Sequence, residues 1–253
     1  MVELISQNMR ILRDEYGFDT IATRQACLEL TGALAGSRVL DVGTGSGWMA
    51  LVAARNGNTV WSLDLNLEAL KRAKDRVANM PLSVQGRIGF LIANGAHLPF
   101  RDGMFDSVLS FDVLHHFSTR FCPRAIPEML RVCTPVGAVI LSDLNAQGMR
   151  VVDEVIARTG EVHQHTICDT VRISTLLESA AVSFRRLEMK FVTVFVVERP
   201  PERVRTAFEV RIRGDRMRPL RSTQRGSAGA PPLASVAEDA AAPWGGALIP
   251  TYE

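Results

Sequence analysis

Hydrophobic residues in this chain fall into two alternating patterns, short nearly continuous runs and stripes at helical spacing. Runs at 39–42, 59–63, 88–92, 105–110 and 138–141 predict strands covered on both faces. Between the first two, residues 48–54 (Trp48 to Ala54) are apolar throughout and predict a buried helix, which Asn56-Gly57-Asn58 ends. Residues 67–79 place Leu67, Leu70, Ala73 and Val77 on one stripe and charges elsewhere, the pattern of a surface helix; Pro81 stops it. Residues 183–191 and 192–197 read as a hairpin closing the sheet. Strands alternating with helices predict an α/β architecture in which helices cover a mostly parallel sheet.

The flanks are patterned differently. Residues 1–36 predict an amphipathic helical cap, broken at Tyr16-Gly17-Phe18-Asp19. An insertion at 145–168 holds a helix over 149–158 and then Glu161-Val162-His163-Gln164-His165. The next helix starts either at a capping box, Thr175 to Glu178, or earlier with Asp169 as its cap. Residues 199–225 carry nine Arg against three acids, and 226–253 are rich in Ala, Gly, Pro and Ser, so 199–253 reads as a disordered tail.

Chemistry concentrates where the first run ends, in Val39-Leu40-Asp41-Val42-Gly43-Thr44-Gly45-Ser46-Gly47-Trp48. Glycines at 43, 45 and 47 let the backbone turn tightly and come close to a ligand. The helix that follows points free N–H groups toward it. Asp41 stands at the carboxyl end of the strand, where open α/β sheets bind their ligands. A dinucleotide fingerprint would put its third glycine at 48, the position of Trp48, and no Gly-Lys-Ser/Thr closes a P-loop. The second run ends in Asp64, 19 positions beyond Gly45, suited to two ribose hydroxyls. Asn66 is placed to cap the next helix, which frees Asp64, and Leu65 is placed to cover an adenine face.

The spacing Asp-x-Gly-x-Gly-x-Gly resembles motif I of the class I S-adenosylmethionine-dependent methyltransferases. Ala93-Asn94-Gly95-Ala96-His97-Leu98-Pro99-Phe100 resembles that family's Gly-Asp-Ala and Leu-Pro-Phe loop, with Asn94 in place of the usual Asp. The stretch 105–117, FDSVLSFDVLHHF, and Arg131-Val132 followed by Pro135 and Gly137 continue the match, which covers 39–143. The resemblance is to the small-molecule branch that includes ubiquinone and menaquinone methyltransferases. It implies a Rossmann-like, doubly wound, seven-stranded sheet, mostly parallel with an antiparallel last strand. It divides the chain into a cap (1–36), a methyltransferase domain (37–198, with 145–168 as a lid) and the tail.

The resemblance also implies S-adenosylmethionine as cofactor, held by Asp41, Gly43, Thr44, Gly45, Gly47, Asp64, Leu65, Asn94, Gly95, Ala96, Ser110 and Phe111. His115 and His116 begin the helix facing the transferring methyl and are the candidate bases. Tyr16, Phe18, Thr23 and Arg24 either line an acceptor pocket or pack the cap on the sheet edge. His163 and His165 offer two ligand nitrogens with no third in sight, so no metal is assigned and they read as pocket-lining or surface residues.

Charge narrows the acceptor. Of the formal net charge of +2, residues 199–225 contribute +6 and 226–253 contribute −3, leaving 1–198 at −1. A near-neutral domain with apolar lid segments predicts a small, partly apolar acceptor before a nucleic acid. The arginine-rich segment leaves RNA or protein methylation as alternatives, and Asn94 with the altered Pro135-Val136-Gly137 leaves a non-catalytic, cofactor-binding regulator. Cys27, Cys122, Cys133 and Cys168 form no compact pair and read as four free thiols. No basic-then-apolar leader opens the sequence and no apolar run approaches a membrane span, so a cytoplasmic protein is expected; the oligomeric state is left open.

Overall fold

The computed structural model describes residues 6–166 and 168–198. The expectations for 199–253 lie outside the described residues. The chain runs α1 (Gln7–Tyr16), α2 (Thr20–Glu29), β1 (Arg38–Val42), α3 (Trp48–Arg55), β2 (Thr59–Asp64), α4 (Leu67–Ala78), the short α5 (Leu82–Gln85) and β3 (Ile88–Ile92). It continues through β4 (Phe105–Phe111), α6 (Cys122–Val132), β5 (Cys133–Leu144), α7 (Ala146–Ala157), α8 (Thr170–Ser179), β6 (Arg185–Glu188) and β7 (Val192–Glu198).

The seven strands lie in the order β3-β2-β1-β4-β5-β7-β6. The first five are parallel, and β7 enters antiparallel between β5 and β6, with Ile140 opposite Val196. Alternation along the strands divides the core into two layers. Val139 and Leu141 join Ile126, Met129 and Leu130 of α6 and Ile173 and Leu177 of α8 on one face. Ile140 joins Leu12, Cys27, Leu28, Met49, Ala53 and Val155 on the other. The helix α3 is buried at seven of its eight positions, which is why its sequence has no polar face.

Capping follows the side chains available. Asp19, Asn66 and Asn145 accept the first free N–H groups of α2, α4 and α7. Asp169 caps α8, so Thr175 to Glu178 lie inside the helix and do not open it. Three other expectations change. His115 and His116 do not begin a helix: Leu114–His116 is a single 3-10 turn, and α6 starts only at Cys122. The fifth strand begins at Cys133, which pairs with Phe105; the register then shifts, so that Thr134 to Gly137 form an irregularity before Ala138 pairs with Ser107. Pro135, lacking an N–H, is tolerated at such an irregularity. Finally, the cysteines are not four free thiols. Cys122 and Cys168 form a disulfide (Cα–Cα 6.3 Å), while Cys27 and Cys133 are free and buried.

The 145–168 insertion is fastened at several points. Asn145 donates from its backbone to Phe191 at 3.0 Å. The Tyr16 hydroxyl donates to Glu154 at 2.6 Å, and Arg158 donates to Glu15 at 2.7 Å, tying α7 to α1. Thr166 donates to the carbonyls of His115 and Phe117, both at 2.6 Å. The disulfide holds the far end. No helix among the described residues is long and apolar enough to cross a membrane.

Candidate active site

Two cavities open side by side at the carboxyl ends of β1, β2 and β4. The larger, about 430 Å³, is lined by the 43–46 turn, Arg24, Trp48, Met49, Asp64, Phe111 and Asp112. The smaller, about 300 Å³, is lined by Leu65, Asn94, Gly95, Phe117, Phe121 and neighbours. Gly43, Asp64, Val113 and His116 border both.

The turn is built by its glycines. Gly43 has φ +93° and faces the Val113 side chain so closely that a Cβ would overlap it. Gly47 has φ +81°, and a Cβ there would come 2.8 Å from that of Ala73. Gly43 therefore lets the turn meet the cavity wall, whereas Gly47 lets α3 settle on α4. Gly45 donates its N–H to Asp64 at 2.8 Å, and the other carboxylate oxygen accepts from the Asn66 N–H at 2.9 Å. Asn66 caps α4 as expected, leaving the remaining Asp64 lone pairs toward the cavities.

Of the twelve cofactor candidates, Gly43, Thr44, Gly45, Asp64, Leu65, Asn94, Gly95 and Phe111 line a cavity. Asp41, Gly47, Ala96 and Ser110 are not among the lining residues. Asp41 is buried beneath the turn and accepts from Ser62 at 2.7 Å; burial pushes its carboxyl up to about 7 against that hydrogen bond. Ala96 spends its N–H on the Asn94 side-chain oxygen at 2.9 Å. That bond occupies one acceptor site of Asn94, leaving its NH2 group as the open donor.

Arg24 is the one cap residue of the four proposed that reaches the site. Phe18 packs on Phe191 (ring centroids 4.8 Å apart), Tyr16 holds Glu154, and Thr23 bonds back to Asp19. The Arg24 guanidinium lies 4.1 Å above the Phe111 ring and 3.9 Å from Asp112. Burial pushes the Asp112 carboxyl up to about 7, with Arg24 opposing. Its Oδ1 and the Trp48 indole N–H are buried without a hydrogen-bond partner among the described residues. Trp48, Asp112, Val113, Phe117 and Phe121 were not singled out as site residues by the sequence. Asp112 has φ +52°, a left-handed conformation that turns the chain after β4 into the cavity wall, and no periodicity announces it.

The two histidines separate in role. His116 borders both cavities, while His115 is buried at 1% exposure and lines neither. The His115 Nδ1 pairs with Asp143, and its Nε2 lies 3.2 Å from the Nε2 of His163. Burial lowers the basicity of His115, but Asp143 outweighs it and the net shift is upward. Burial, and then the nearby His115, push His116 down to about 4.

Residues 40–141 match the family described as methyltransferase domain. An uncharacterized protein of Mycobacterium tuberculosis is 39% identical over 45% of this chain and 39% of its own length. Methyltransferase GfsG of Streptomyces halstedii is 34% identical over 45% of this chain and 40% of its own. The 27-O-demethylrifamycin SV methyltransferase of Amycolatopsis mediterranei is 33% identical over 48% and 45%. The chain thus spans less than half the length of these relatives. Among solved structures, a SAM-dependent methyltransferase from Aquifex aeolicus superposes with TM-score 0.57 at 19% identity, over 78% of this chain and 96% of that one. The [4+2]-cyclase SpnF superposes with TM-score 0.56 at 19% identity, over 71% and 81%. Residues 40–141 thus match a methyltransferase domain, and the sheet that carries them has the strand order of the Rossmann-like methyltransferase fold.

Proposed function

We propose that the chain transfers a methyl group from S-adenosylmethionine to a small, partly apolar acceptor by in-line displacement. The observation that carries the cofactor half of this reading is the pair of cavities meeting at Gly43, Asp64, Val113 and His116, with a more polar lining on one side and a more apolar one on the other; the near-neutral charge of 1–198 supports the acceptor half. In this reading Arg24 and the unpartnered Asp112 Oδ1 receive the carboxylate and ammonium of the methionine moiety. Asp64 holds the ribose, and Leu65, exposed at 66%, and Phe117 enclose the adenine, which the Asn94 amide reads.

The cofactor brings an already activated methyl on a sulfonium, so the chain mainly has to align donor and acceptor. Alignment alone supplies up to about 7–11 kcal/mol. His116 borders the donor site and is neutral at pH 7, free to accept a proton from an acceptor hydroxyl. His115, lining neither cavity, positions its neighbour. The relative from Amycolatopsis mediterranei, named as a methyltransferase of a rifamycin, supports a small-molecule acceptor. A cytoplasmic setting belongs to the same reading, and there the Cys122–Cys168 bond would be an exception to the usual reduced state of thiols.

The test is methyl transfer from labelled S-adenosylmethionine by the full chain, offered a small-metabolite extract and total RNA in parallel. Label in the extract supports the reading. Label in RNA alone favours the polynucleotide alternative, and binding of S-adenosylhomocysteine with no transfer to either favours the regulator. Thermal stabilisation by NAD and none by S-adenosylhomocysteine overturns the assignment altogether.

A further inference from the structure

The insertion and the turn after β4 bring together three imidazoles from two stretches distant in sequence. His115 and His116 come from the 3-10 turn, and His163 comes from the insertion 48 residues later. Their ring centroids lie 4.0, 5.1 and 5.2 Å apart. One ring nitrogen from each lies within 4.8 Å of the other two.

What surrounds the rings fixes their chemistry. The His115 Nδ1 faces the Asp143 carboxylate, the His163 Nδ1 faces Asp153 at 2.8 Å, and the His116 Nδ1 faces the Gln164 carbonyl at 2.6 Å. Each of these partners only accepts, so each Nδ1 is the protonated nitrogen and each neutral ring keeps its lone pair on Nε2. The Nε2 atoms of His115 and His163 are 3.2 Å apart, a distance that calls for a proton or a metal ion between two facing lone pairs. Outer acceptors of this kind are what orient metal-binding imidazoles. In a tetrahedral site with metal–nitrogen bonds near 2.05 Å, ligand nitrogens are separated by about 3.3 Å. The His115–His163 pair already has that separation, and a ring nitrogen of His116 lies within 4.8 Å of the other two ligands.

We propose that His115, His116 and His163 form a binding site for a divalent transition metal of the zinc class. Three imidazoles suit Zn2+, Co2+ or Ni2+ better than Mg2+ or Ca2+, which take oxygen ligands. Three protein ligands leave one tetrahedral position for water or an acceptor heteroatom, and His116 sets the metal at the border of both cavities; with the metal bound, His116 is a ligand, and the base role proposed above passes to the group on the open position. The metal also clamps the insertion to the domain, because its ligands come from both. His165 is outside the set: it is exposed, its Nε2 lies 3.8 Å from Asp153, and its ring stands 5.6 Å from that of His163. The site stands on these residues alone and needs no methyl transfer to be tested.

The experiment uses the untagged full chain, stripped with a chelator and titrated with Co2+. Absorption in the visible range reports four- or five-coordinate cobalt, and elemental analysis after Zn2+ loading gives the stoichiometry. One metal per chain is expected, with affinity lowered at least 100-fold in His163→Ala, 10- to 100-fold in Asp153→Asn and unchanged in His165→Ala. Circular dichroism confirms that each variant is folded, and His163→Gln repeats the test without opening a void. Uptake below one equivalent at 1 mM metal, as a rough ceiling for a real site, overturns the proposal, as does uptake indifferent to His163. S-adenosylhomocysteine binding, followed separately by thermal shift, reports on the methyltransferase reading whatever the metal does.

Discussion

The Gly45 N–H and the Asp64 carboxylate meet at 2.8 Å across the mouth of the sheet, joining the turn after β1 to the end of β2. The bond fixes the glycine turn relative to the group proposed to hold the ribose. On that proposal Asp64→Ala removes two charge-assisted hydrogen bonds to the cofactor, together with the anchor of the turn. S-adenosylhomocysteine affinity should fall by about 2–4 kcal/mol, roughly 30- to 900-fold. Calorimetry measures it; an unchanged affinity would show that Asp64 does not touch the ligand.

Gly43 faces a different constraint. Alanine there must hold φ near +93° and press into Val113, so Gly43→Ala should cost roughly 1–3 kcal/mol in backbone strain alone and weaken cofactor binding further. Adding Val113→Ala relieves the contact but not the dihedral. The double variant should therefore recover part of the lost melting temperature. Full recovery would mean that only the side-chain contact matters.

Asp41 makes stability depend on pH. Burial raises its carboxyl to about 7 in the folded chain, against an ordinary value of 3.8, so the folded state holds a proton that the unfolded state has released. The sign follows: this contribution is fully present below about pH 4 and is lost as pH rises through 7. Asp41→Asn cannot titrate. Its stability relative to the parent should climb between pH 4 and 8 and then level off, by at most about 4 kcal/mol. Denaturant melts at several pH values check this, and a parallel pair of curves would refute it.

The Cys122–Cys168 bond spans 46 residues, a loop whose closure should stabilise the folded chain by about 4 kcal/mol. Thiol titration of the denatured, unreduced protein should find two free thiols, Cys27 and Cys133, where four are expected without the bond. Both free thiols are pushed to about 12 by burial and should react slowly until the chain unfolds. Four reactive thiols at the outset would show the bond absent.

The sheet was largely legible because its signals are local. The strand at 88–92 and the helix after Asn66 follow from a few neighbouring residues, as does the glycine turn. The site was legible where it lies on that turn and on β2. It was not legible where distant segments meet: nothing near His115 indicates that His163 returns to it, nor does Cys122 announce Cys168. Asp41 shows the opposite limit. It sits within the motif, but its side chain turns beneath the turn toward Ser62, and burial decides its role.

The insertion between β5 and α8 is held at its base by Asn145 on Phe191 and at its far end by Cys168 on Cys122. Between these anchors the two ends of the segment differ: Val155 is sunk in the core and Gly148 leaves no room for a side chain against Phe191, whereas 159–165 is exposed or half-buried. Sequence change is therefore tolerated on the stretch after α7 and resisted on the inner face of α7, so any exchange of this segment has to keep Gly148 and an apolar residue at 155.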